Sequence, residues 1–239
     1  MGRRALVTGG GTGIGLACAQ ALTAAGAQVT VLGRRDAPLR AAVAAGAAAT
    51  AIQADVLALP ELPDFQILVH AAGAAESAGF LASDDALWAR MLDANLRGAV
   101  AVTRAALPAM LAAKSGRIVM VASTAALKGY AYVTAYTAAK HALLGLTRAL
   151  AVECAGSGVT VNAACPGFTE TEIVATSIAT IIARTGRSEA EARKSLTRHN
   201  PQGRLVTPAE VAAAVLFLCG PQAAAVTGQA IAIDGGETA

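Results

Sequence analysis

Short apolar runs bounded by turn residues alternate along the chain with longer segments of helical periodicity. Seven of the runs have strand length and are rich in Val, Ile and Leu, as buried strands usually are. They cover residues 5–8, 28–32, 50–53, 67–70, 117–123, 159–165 and 230–233. Continuous apolar strands alternating with helices are typical of a parallel sheet with helices on both faces. The pattern therefore predicts an α/β fold with a doubly wound sheet of about seven strands.

The segments between the runs predict helices. Four have Ala- and Leu-rich helical patterns that stop at a glycine, the residue preferred just after a helix end. They cover 14–25, 86–114, 134–155 and 208–219, and the glycines are Gly26, Gly116, Gly156 and Gly220. A further helix is predicted from Pro38 to a break at Gly46. Two prolines between Asp55 and Ile67 predict an extended link, long enough to cross two strands in a sheet of order 3-2-1-4.

The segment 168–205 differs from the rest of the chain. It is Thr-rich and charged, has a helical pattern at 189–196 and lacks a strand pattern, so we expect a mobile lid inserted into the fold. The 239 residues fit one domain, since parallel α/β sheets reach this size without dividing. We therefore predict a single domain over residues 1–239 with the lid as an insertion.

Composition and charge narrow the class of protein. No run approaches the ~20 apolar residues that span a bilayer, and the first residues show no leader pattern, so we expect a cytoplasmic protein that does not enter membranes. The net charge is +3 and the basic residues are scattered, which argues against nucleic acid as a partner. The widely spaced Cys18, Cys154, Cys165 and Cys219 predict buried free thiols and no metal site.

A glycine-rich turn follows the first predicted strand and leads directly into a helical pattern. Its sequence, TGGGTGIG, runs from Thr8 to Gly15. Glycines in this context let the backbone approach a pyrophosphate, whose charge is stabilised by free N–H groups at the helix start. We assign this role to Gly9, Gly13 and Gly15, since a generic tight turn does not need five glycines within seven residues.

The end of the second predicted strand distinguishes NADP from NAD. An acidic residue there binds the ribose 2′-hydroxyl, whereas arginine accommodates a 2′-phosphate. The chain has Arg34 and Arg35 and no carboxylate at the strand end, and guanidinium groups donate paired hydrogen bonds to phosphate. We therefore expect NADP(H). Two alternatives stay open: a solvated arginine pair at a helix start, and a ribose contact from Asp36 that allows some use of NAD.

Four polar side chains form a candidate catalytic set. Tyr136 and Lys140 are four residues apart in a predicted helix, and a nearby ammonium lowers the pKa of a phenol from about 10 toward the neutral range. Ser123 follows a strand at the end where α/β proteins build their sites, placed to hold a substrate oxygen. Asn95 lies among apolar residues, and a structural hydrogen bond is the simplest account of its amide.

These features resemble the short-chain dehydrogenase/reductase family over nearly the whole chain. The resemblance includes the glycine turn, the Tyr-x-x-x-Lys pair, Pro166-Gly167 followed by Thr169, and the closing Asp234-Gly235-Gly236. It implies a Rossmann-type fold and direct hydride transfer between nicotinamide and a substrate carbonyl or alcohol without a metal. Ser123 and Tyr136 would hydrogen-bond the substrate oxygen, and Tyr136 would exchange the proton.

The resemblance also implies roles for further residues. Lys140 would bind the nicotinamide ribose, and Asn95 would hold a water in a proton relay. The implied cofactor-binding residues are Gly9, Thr12, Gly13, Ile14, Gly15, Arg34, Arg35, Asp55, Val56, Ala72, Gly73, Tyr136, Lys140, Pro166, Gly167 and Thr169. The chain departs from the family where His70-Ala71-Ala72-Gly73 replaces the usual Asn-Asn-Ala-Gly, and in the missing helix after Asp55, which would leave the adenine side more open. We interpret His70 as structural, in place of an amide that stabilises the sheet.

Within the family, the segments 140–142, 166–171 and 223–231 are most similar to bacterial β-ketoacyl and polyketide ketoreductases and hydroxyacyl-CoA dehydrogenases. This implies a small carbonyl or alcohol substrate, with a CoA or acyl-carrier thioester as one form. The basic lid residues fit either the phosphates of such an arm or a solvated face; they are Arg187, Arg193, Lys194, Arg198 and Arg204. The Ala-rich faces of the helices that begin near residues 86 and 134 permit close helix packing, and the resemblance to family members that pair these helices between subunits as dimers or tetramers implies a homotetramer.

Three alternative functions remain at this point. One is a nucleotide-binding regulator or redox sensor without turnover, against which the intact Ser123, Tyr136 and Lys140 argue. Another is an NAD-linked alcohol or hydroxyacyl-CoA dehydrogenase. The third is a sugar-nucleotide epimerase or dehydratase, which shares the Tyr/Lys pair but usually has a separate C-terminal substrate domain that this chain has no room for.

Overall fold

Seven parallel strands form one sheet at the centre of the molecule. The computed structural model describes residues 2–239. The strands are β1 (Arg4–Thr8), β2 (Gln28–Gly33), β3 (Thr50–Gln53), β4 (Ile67–His70), β5 (Gly116–Val121), β6 (Val159–Pro166) and β7 (Ala230–Ile233). Their order is β3-β2-β1-β4-β5-β6-β7, and all neighbouring pairs are parallel. The predicted doubly wound sheet is confirmed, and the strand bounds differ from the predicted ones by at most two residues.

Helices cover both faces of this sheet. They are α1 (Gly13–Ala24), α2 (Asp36–Ala44), α3 (Asp85–Leu92), α4 (Gly98–Ala112), α5 (Thr134–Cys154), α6 (Glu172–Thr185), α7 (Glu189–Thr197) and α8 (Pro208–Cys219). Successive residues of a strand point to opposite faces, so Ala5 and Val7 pack with α1 and α8, whereas Leu6 packs with α4 and α5. As predicted, the link between β3 and β4 contains no helix.

The helix predicted at 86–114 is divided in the structure. A five-residue π-helical turn, Asp93–Arg97, separates α3 from α4 and has Asn95 at its centre. Hydrogen bonds in a π turn span five residues instead of four, so regular 3.6-residue periodicity does not predict it. The correction concerns the site directly, because π turns are frequent at functional positions.

The segment 168–205, predicted as a lid, contains more helix than the sequence indicates. Sequence periodicity predicted only α7 there, but the segment also contains α6, which begins after its cap Thr171 and ends at the left-handed Gly186. The two helices share a small apolar cluster of their own that includes Val174, Ile178 and Leu205, with Phe168 packed against it. The alternation of Thr and Ile in α6 masks its helical character in the sequence.

The helix α8 ends at Gly220 as predicted, but only Gly26 of the four predicted stops has the left-handed backbone that such positions usually have. After α4 the left-handed residue is Lys114, and after α5 it is Gly158. Gly116 serves close packing instead, because a Cβ there would lie 2.8 Å from the side chain of Met110.

Two further sequence expectations concern the interior and the helices. All four cysteines are free and buried, as predicted, and burial raises the pKa of the Cys18 and Cys219 thiols to about 12. Within residues 2–239, none of the helices has the length and apolar character required to cross a bilayer.

Candidate active site

The predicted site residues meet at the carboxyl edge of the sheet. The order of the strands reverses between β1 and β4, and α/β proteins bind ligands in the crevice at such a point. Gly9 follows β1, Gly73 follows β4 and Ser123 follows β5, while Gly167 follows β6. The loops touch: a Cβ on Gly9 would lie 2.9 Å from the Ala72 nitrogen.

The glycine turn has the geometry expected of a phosphate loop. Gly9 and Gly13 have φ values of 66° and 53°, which side-chain-bearing residues rarely adopt. A Cβ on Gly15 would collide with the carbonyl of Gly9, so both glycines are required for close packing of the turn on α1. No side chain caps the first turn of α1, where Thr12 is the N-cap. The free N–H groups and absent Cβ atoms fit a dinucleotide pyrophosphate.

Arg34 and Arg35 follow β2, as the NADP prediction requires. Arg35 donates from Nη2 to Glu172 Oε2 at 3.0 Å and to Thr12 Oγ1 at 3.4 Å, and both partners of the ion pair are largely exposed. Among residues 2–239, the Arg34 side chain has no hydrogen-bond or ion-pair partner. Asp36 pairs instead with Arg40 inside α2, at 2.7 Å.

Asp55 and Val56 follow β3 at the same edge of the sheet. Asp55 Oδ1 accepts a hydrogen bond from the Leu57 nitrogen at 2.9 Å, which fixes the turn. Val56 packs on Gly98, where a Cβ would approach Val56 Cγ2 to 2.5 Å. Their contact with adenine stays a prediction.

Ser123, Tyr136 and Lys140 lie together in the structure. The Ser123 hydroxyl accepts from the Ala125 nitrogen at 3.0 Å and lies close enough to the Tyr136 phenol to lower its pKa. Lys140 is buried; its Nζ donates to the Val121 carbonyl at 3.0 Å and lies 5.7 Å from the centre of the Tyr136 ring. The spacing of four residues therefore brings phenol and ammonium to one side of α5, as expected.

The direction predicted for the pKa of Tyr136 is wrong in this structure. Burial raises the pKa of the phenol, and the neighbouring Ser123 side chain only partly opposes that effect. Burial also lowers the pKa of Lys140, to about 8. At neutral pH the phenol is protonated, which suits a proton donor.

Asn95 uses both amide hydrogens in the structure. Its Nδ2 donates to Ala74 O at 2.8 Å and to Met91 O at 3.0 Å, which confirms a structural role. Its Oδ1 is buried without a hydrogen-bond partner among residues 2–239, close to Gly73, where a Cβ would lie 2.8 Å from it and 3.6 Å from Lys140 Nζ. A buried unpaired oxygen beside the lysine fits the implied water-holding role.

His70 links two strands, as its structural interpretation requires. Its Nδ1 lies 3.0 Å from Thr8 Oγ1, and the same hydroxyl accepts from the Ala72 nitrogen at 3.2 Å. Burial, together with the charge of Lys140, lowers the pKa of His70 to about 3, so the imidazole is neutral at physiological pH.

The loop after β6 is held by the end of the chain. Gly167 donates its N–H to Ile233 O at 3.0 Å, and Thr169, which is buried, donates to Gly167 O at 2.9 Å. Gly167 also packs closely on Asp234, to which a Cβ would approach within 3.2 Å. Pro166, at the end of β6, is buried.

Two groups of side chains near the site were not predicted from the sequence. Thr171 packs on the glycine turn, where a Cβ on Gly13 would lie 3.2 Å from its methyl group. Lys128, Tyr130 and Glu237 form a part-buried polar cluster beside Gly167. Only the polar character of Lys128 and Tyr130 between Ser123 and Tyr136 was a usable signal, since Glu237 is more than 100 residues away.

The basic residues of the lid divide into two sets. Arg193 pairs with Glu170 at 3.6 Å, and Arg204 makes a two-pronged pair with Glu210, at 2.9 and 2.6 Å. Among the described residues, Lys194, Arg187 and Arg198 have no carboxylate partner, although Arg198 donates to His199. These three, and Arg184 of α6, which likewise has no carboxylate partner among the described residues, keep a charge free for a phosphate.

Comparison with known proteins identifies the family. A family model described as enoyl-(acyl carrier protein) reductase matches residues 9–238. The chain belongs to the short-chain dehydrogenase/reductase family. The predicted family and its oxidoreductase class are thereby confirmed.

The names of the relatives of this short-chain dehydrogenase/reductase indicate several kinds of substrate. A "Putative ketoacyl reductase" of Streptomyces coelicolor is 38% identical over 97% of this chain and 95% of its own. A galactitol 2-dehydrogenase (L-tagatose-forming) of Cereibacter sphaeroides is also 38% identical, over 99% and 95%. A tryptophan variant of actinorhodin polyketide ketoreductase, solved with NADPH, has a TM-score of 0.94 and 36% identity and covers 99% of this chain and 97% of its own.

Proposed function

We propose that this chain is an NADP(H)-dependent reductase that converts a ketone to a secondary alcohol, or the alcohol to the ketone, with Asn95, Ser123, Tyr136 and Lys140 as its catalytic residues. The observation that carries the proposal is the Tyr136 ring 5.7 Å from the buried Lys140 ammonium, which lies beside Gly73 in the loop that touches the glycine turn. When bound, the nicotinamide supplies or accepts the hydride.

The cofactor is NADP(H), held by residues of five loops. Gly9, Thr12, Gly13, Ile14 and Gly15 hold the pyrophosphate through backbone N–H groups. Arg34 and Arg35 hold the 2′-phosphate, Asp55, Val56, Ala72 and Gly73 line the adenosine side, and Pro166, Gly167 and Thr169 position the nicotinamide. The exposed guanidinium of Arg34 and the NADPH in the solved ketoreductase relative both support NADP over NAD.

Side chains of the protein bind the substrate oxygen and transfer a proton to it. Ser123 and Tyr136 donate hydrogen bonds to the substrate carbonyl oxygen, and Tyr136 gives its proton to the oxygen as negative charge develops there. The raised pKa of the phenol keeps that proton in place at neutral pH. The ammonium of Lys140 stabilises the phenolate that remains, and Asn95 holds the water through which a proton returns.

The substrate class within this proposal is a β-ketoacyl thioester. Relatives named for ketoacyl and polyketide reduction support it. Two exposed apolar side chains, Phe80 and Leu81, lie in the segment between β4 and α3, and an acyl chain that reached them would bury them. Lys194 and Arg187 on the lid are free to contact a phosphate of the carrier arm.

Replacement of Tyr136 tests the proposed chemistry. Tyr136→Phe removes the proton donor and should lower kcat by about 100-fold or more with NADPH and an active ketone. Tyr132→Phe is the matched control, since the Tyr132 side chain is exposed and its hydroxyl makes no hydrogen bond within residues 2–239. An unchanged rate in Tyr136→Phe would remove this tyrosine from its role.

The substrate class is tested on the unaltered protein. β-Ketoacyl-CoA thioesters and simple ketones are assayed side by side with NADPH, and the thioesters should have the higher kcat/KM. A higher kcat/KM for simple ketones or for sugar-derived ketones would contradict the thioester. A redox sensor would bind NADPH but turn over none of these substrates.

The proposal extends to a cytoplasmic homotetramer. Two large apolar side chains remain exposed on the helices predicted to pair between subunits: Leu111 on α4 and Val152, which is 79% exposed, on α5. Each of these helices therefore offers an apolar position that a second subunit would cover.

A further inference from the structure

Glu237 carries a buried carboxylate that the proposed mechanism does not use. Only 1% of its side chain is exposed. It lies within a turn in which Asp234 accepts from the backbone nitrogens of Gly236 and Thr238, at 2.9 and 3.0 Å. A carboxylate is costly to bury unless it is paired and hydrogen-bonded, so its partners define its role.

Two side chains of the loop between β5 and α5 hold this carboxylate. The Tyr130 hydroxyl donates to Glu237 Oε1 at 2.6 Å, and Lys128 Nζ lies 3.3 Å from the same oxygen. The ammonium also lies 5.1 Å from the centre of the Tyr130 ring. Burial and the bond to Glu237 raise the pKa of Tyr130, so its phenol remains a donor. We call Lys128, Tyr130 and Glu237 the Glu237 clamp.

The clamp reaches the turn that begins at Ser123. The Tyr130 oxygen lies 2.7 Å from Thr124 Oγ1. The single proton of the phenol goes to the carboxylate, so the Thr124 hydroxyl donates to the phenol oxygen. Thr124 directly follows Ser123, whose own hydroxyl accepts from Ala125 in the same turn.

The clamp also reaches the loop after β6. The ring of Tyr130 meets that of Phe168 edge-on, with centroids 6.0 Å apart and planes at 85°. Glu237 Oε2 lies 3.4 Å from the position of a Cβ on Gly167. The Glu237 carboxylate therefore supports the loop of Ser123 through Tyr130, and it lies directly against Gly167 in the loop after β6.

We propose that Glu237 is a positioning residue that holds these two loops in register, so that the Ser123 hydroxyl stays where it bonds the substrate oxygen. The inference rests on the function proposed above. Charge-assisted hydrogen bonds to a carboxylate are short and strong, which suits them to fix a loop. A reacting group displaced by about 1 Å loses on the order of 100-fold in rate, so a loosened clamp acts on kcat. The arginines and the glycine turn, which hold the phosphates of NADPH, lie on other loops, so most of the contacts that bind NADPH are kept.

The experiment compares Glu237→Gln, Tyr130→Phe and the double variant. Each single variant should lower kcat for the ketone by about 10-fold, with KM for NADPH within about 2-fold of the unaltered protein. Both variants remove the same charge-assisted bond, so the double variant should lose no more than the worse single one. Thr238→Val is the matched control: it removes the 2.6 Å bond to Asp234 in the same turn without touching the loop of Ser123, and should keep kcat.

Hydrogen exchange measured by mass spectrometry supplies a readout that does not need activity. Amide protection of residues 124–133 should fall in Glu237→Gln and Tyr130→Phe and remain in Thr238→Val. Unchanged protection would overturn the clamp, even if the protein reduced no ketone and the proposed function failed. Unchanged kcat, multiplied losses in the double variant, or an equal loss in Thr238→Val would also overturn it.

Discussion

Burial shifts the pKa values of Tyr136 and Lys140 in opposite directions. It raises the pKa of the phenol, which keeps its proton, and lowers that of the ammonium to about 8. Both shifts follow from the cost of a charge in a poorly solvated place. Perturbed pKa values in a cleft are typical of catalytic groups, and here they favour proton donation at neutral pH.

Arg34 is the residue on which the choice of NADP depends most directly. Its guanidinium has no hydrogen-bond or ion-pair partner within residues 2–239, whereas Arg35 forms an ion pair with Glu172. Arg34→Asp should raise KM for NADPH far more than KM for NADH, because a carboxylate repels the 2′-phosphate and accepts from the 2′-hydroxyl. Steady-state kinetics with both cofactors measure the effect. An equal change in both KM values would refute the assignment.

At the scale of elements, the turn between β1 and α1 depends on the absence of side chains. A Cβ on Gly15 would collide with the carbonyl of Gly9, although Gly15 lies inside a helix that would otherwise favour alanine. The close packing of strand, turn and helix therefore outweighs helix propensity at this position.

Gly15→Ala should weaken NADPH binding by about 10-fold or more and lower the free energy of unfolding by about 1–3 kcal/mol, because the turn must move. Titration of NADPH fluorescence and denaturant unfolding measure the two effects. Gly145→Ala is the control, since a Cβ in that part of α5 meets nothing within 4 Å. It should stabilise the protein by about 0.5–1 kcal/mol. Tight NADPH binding in Gly15→Ala would contradict the phosphate-loop assignment.

At the scale of the whole molecule, the buried Lys140 reduces stability. Its amine holds a proton up to about pH 10.5 when unfolded but only to about 8 when folded. Below pH 8 the buried charge lowers the free energy of unfolding by its full amount. Between pH 8 and 10.5 the folded protein has released this proton while the unfolded chain still binds it, so stability rises with pH and the cost disappears. Lys140→Met should therefore be about 1–3 kcal/mol more stable at pH 7, with the difference shrinking between pH 8 and 10.5.

Denaturant unfolding at several pH values checks this expectation, and activity should be lost in the same variant. A site that keeps a destabilising group for its chemistry is a common compromise in enzymes. A less stable Lys140→Met at pH 7 would indicate that the bond to Val121 outweighs the cost of burial.

The assembly is the second expectation at this scale. Light scattering on the purified protein should give the mass of a tetramer, because Leu111 and Val152 leave apolar surface on α4 and α5. A monomeric mass would contradict the pairing of these helices between subunits.

Local patterns determined the fold class, the seven strands, the glycine turn and the Tyr136–Lys140 pair. Each depends on backbone periodicity or on residues a few positions apart, which a sequence displays directly. The helix α6 was not predicted, because its β-branched residues weaken the helical pattern in the sequence and tertiary packing stabilises the helix nevertheless.

Only the tertiary structure decided the π turn around Asn95, the raised pKa of Tyr136 and the meeting of Tyr130 with Glu237. These features depend on desolvation and on contacts between segments far apart in the chain. Periodicity and spacing carry no information about either, because burial and distant contacts are set by how the elements pack.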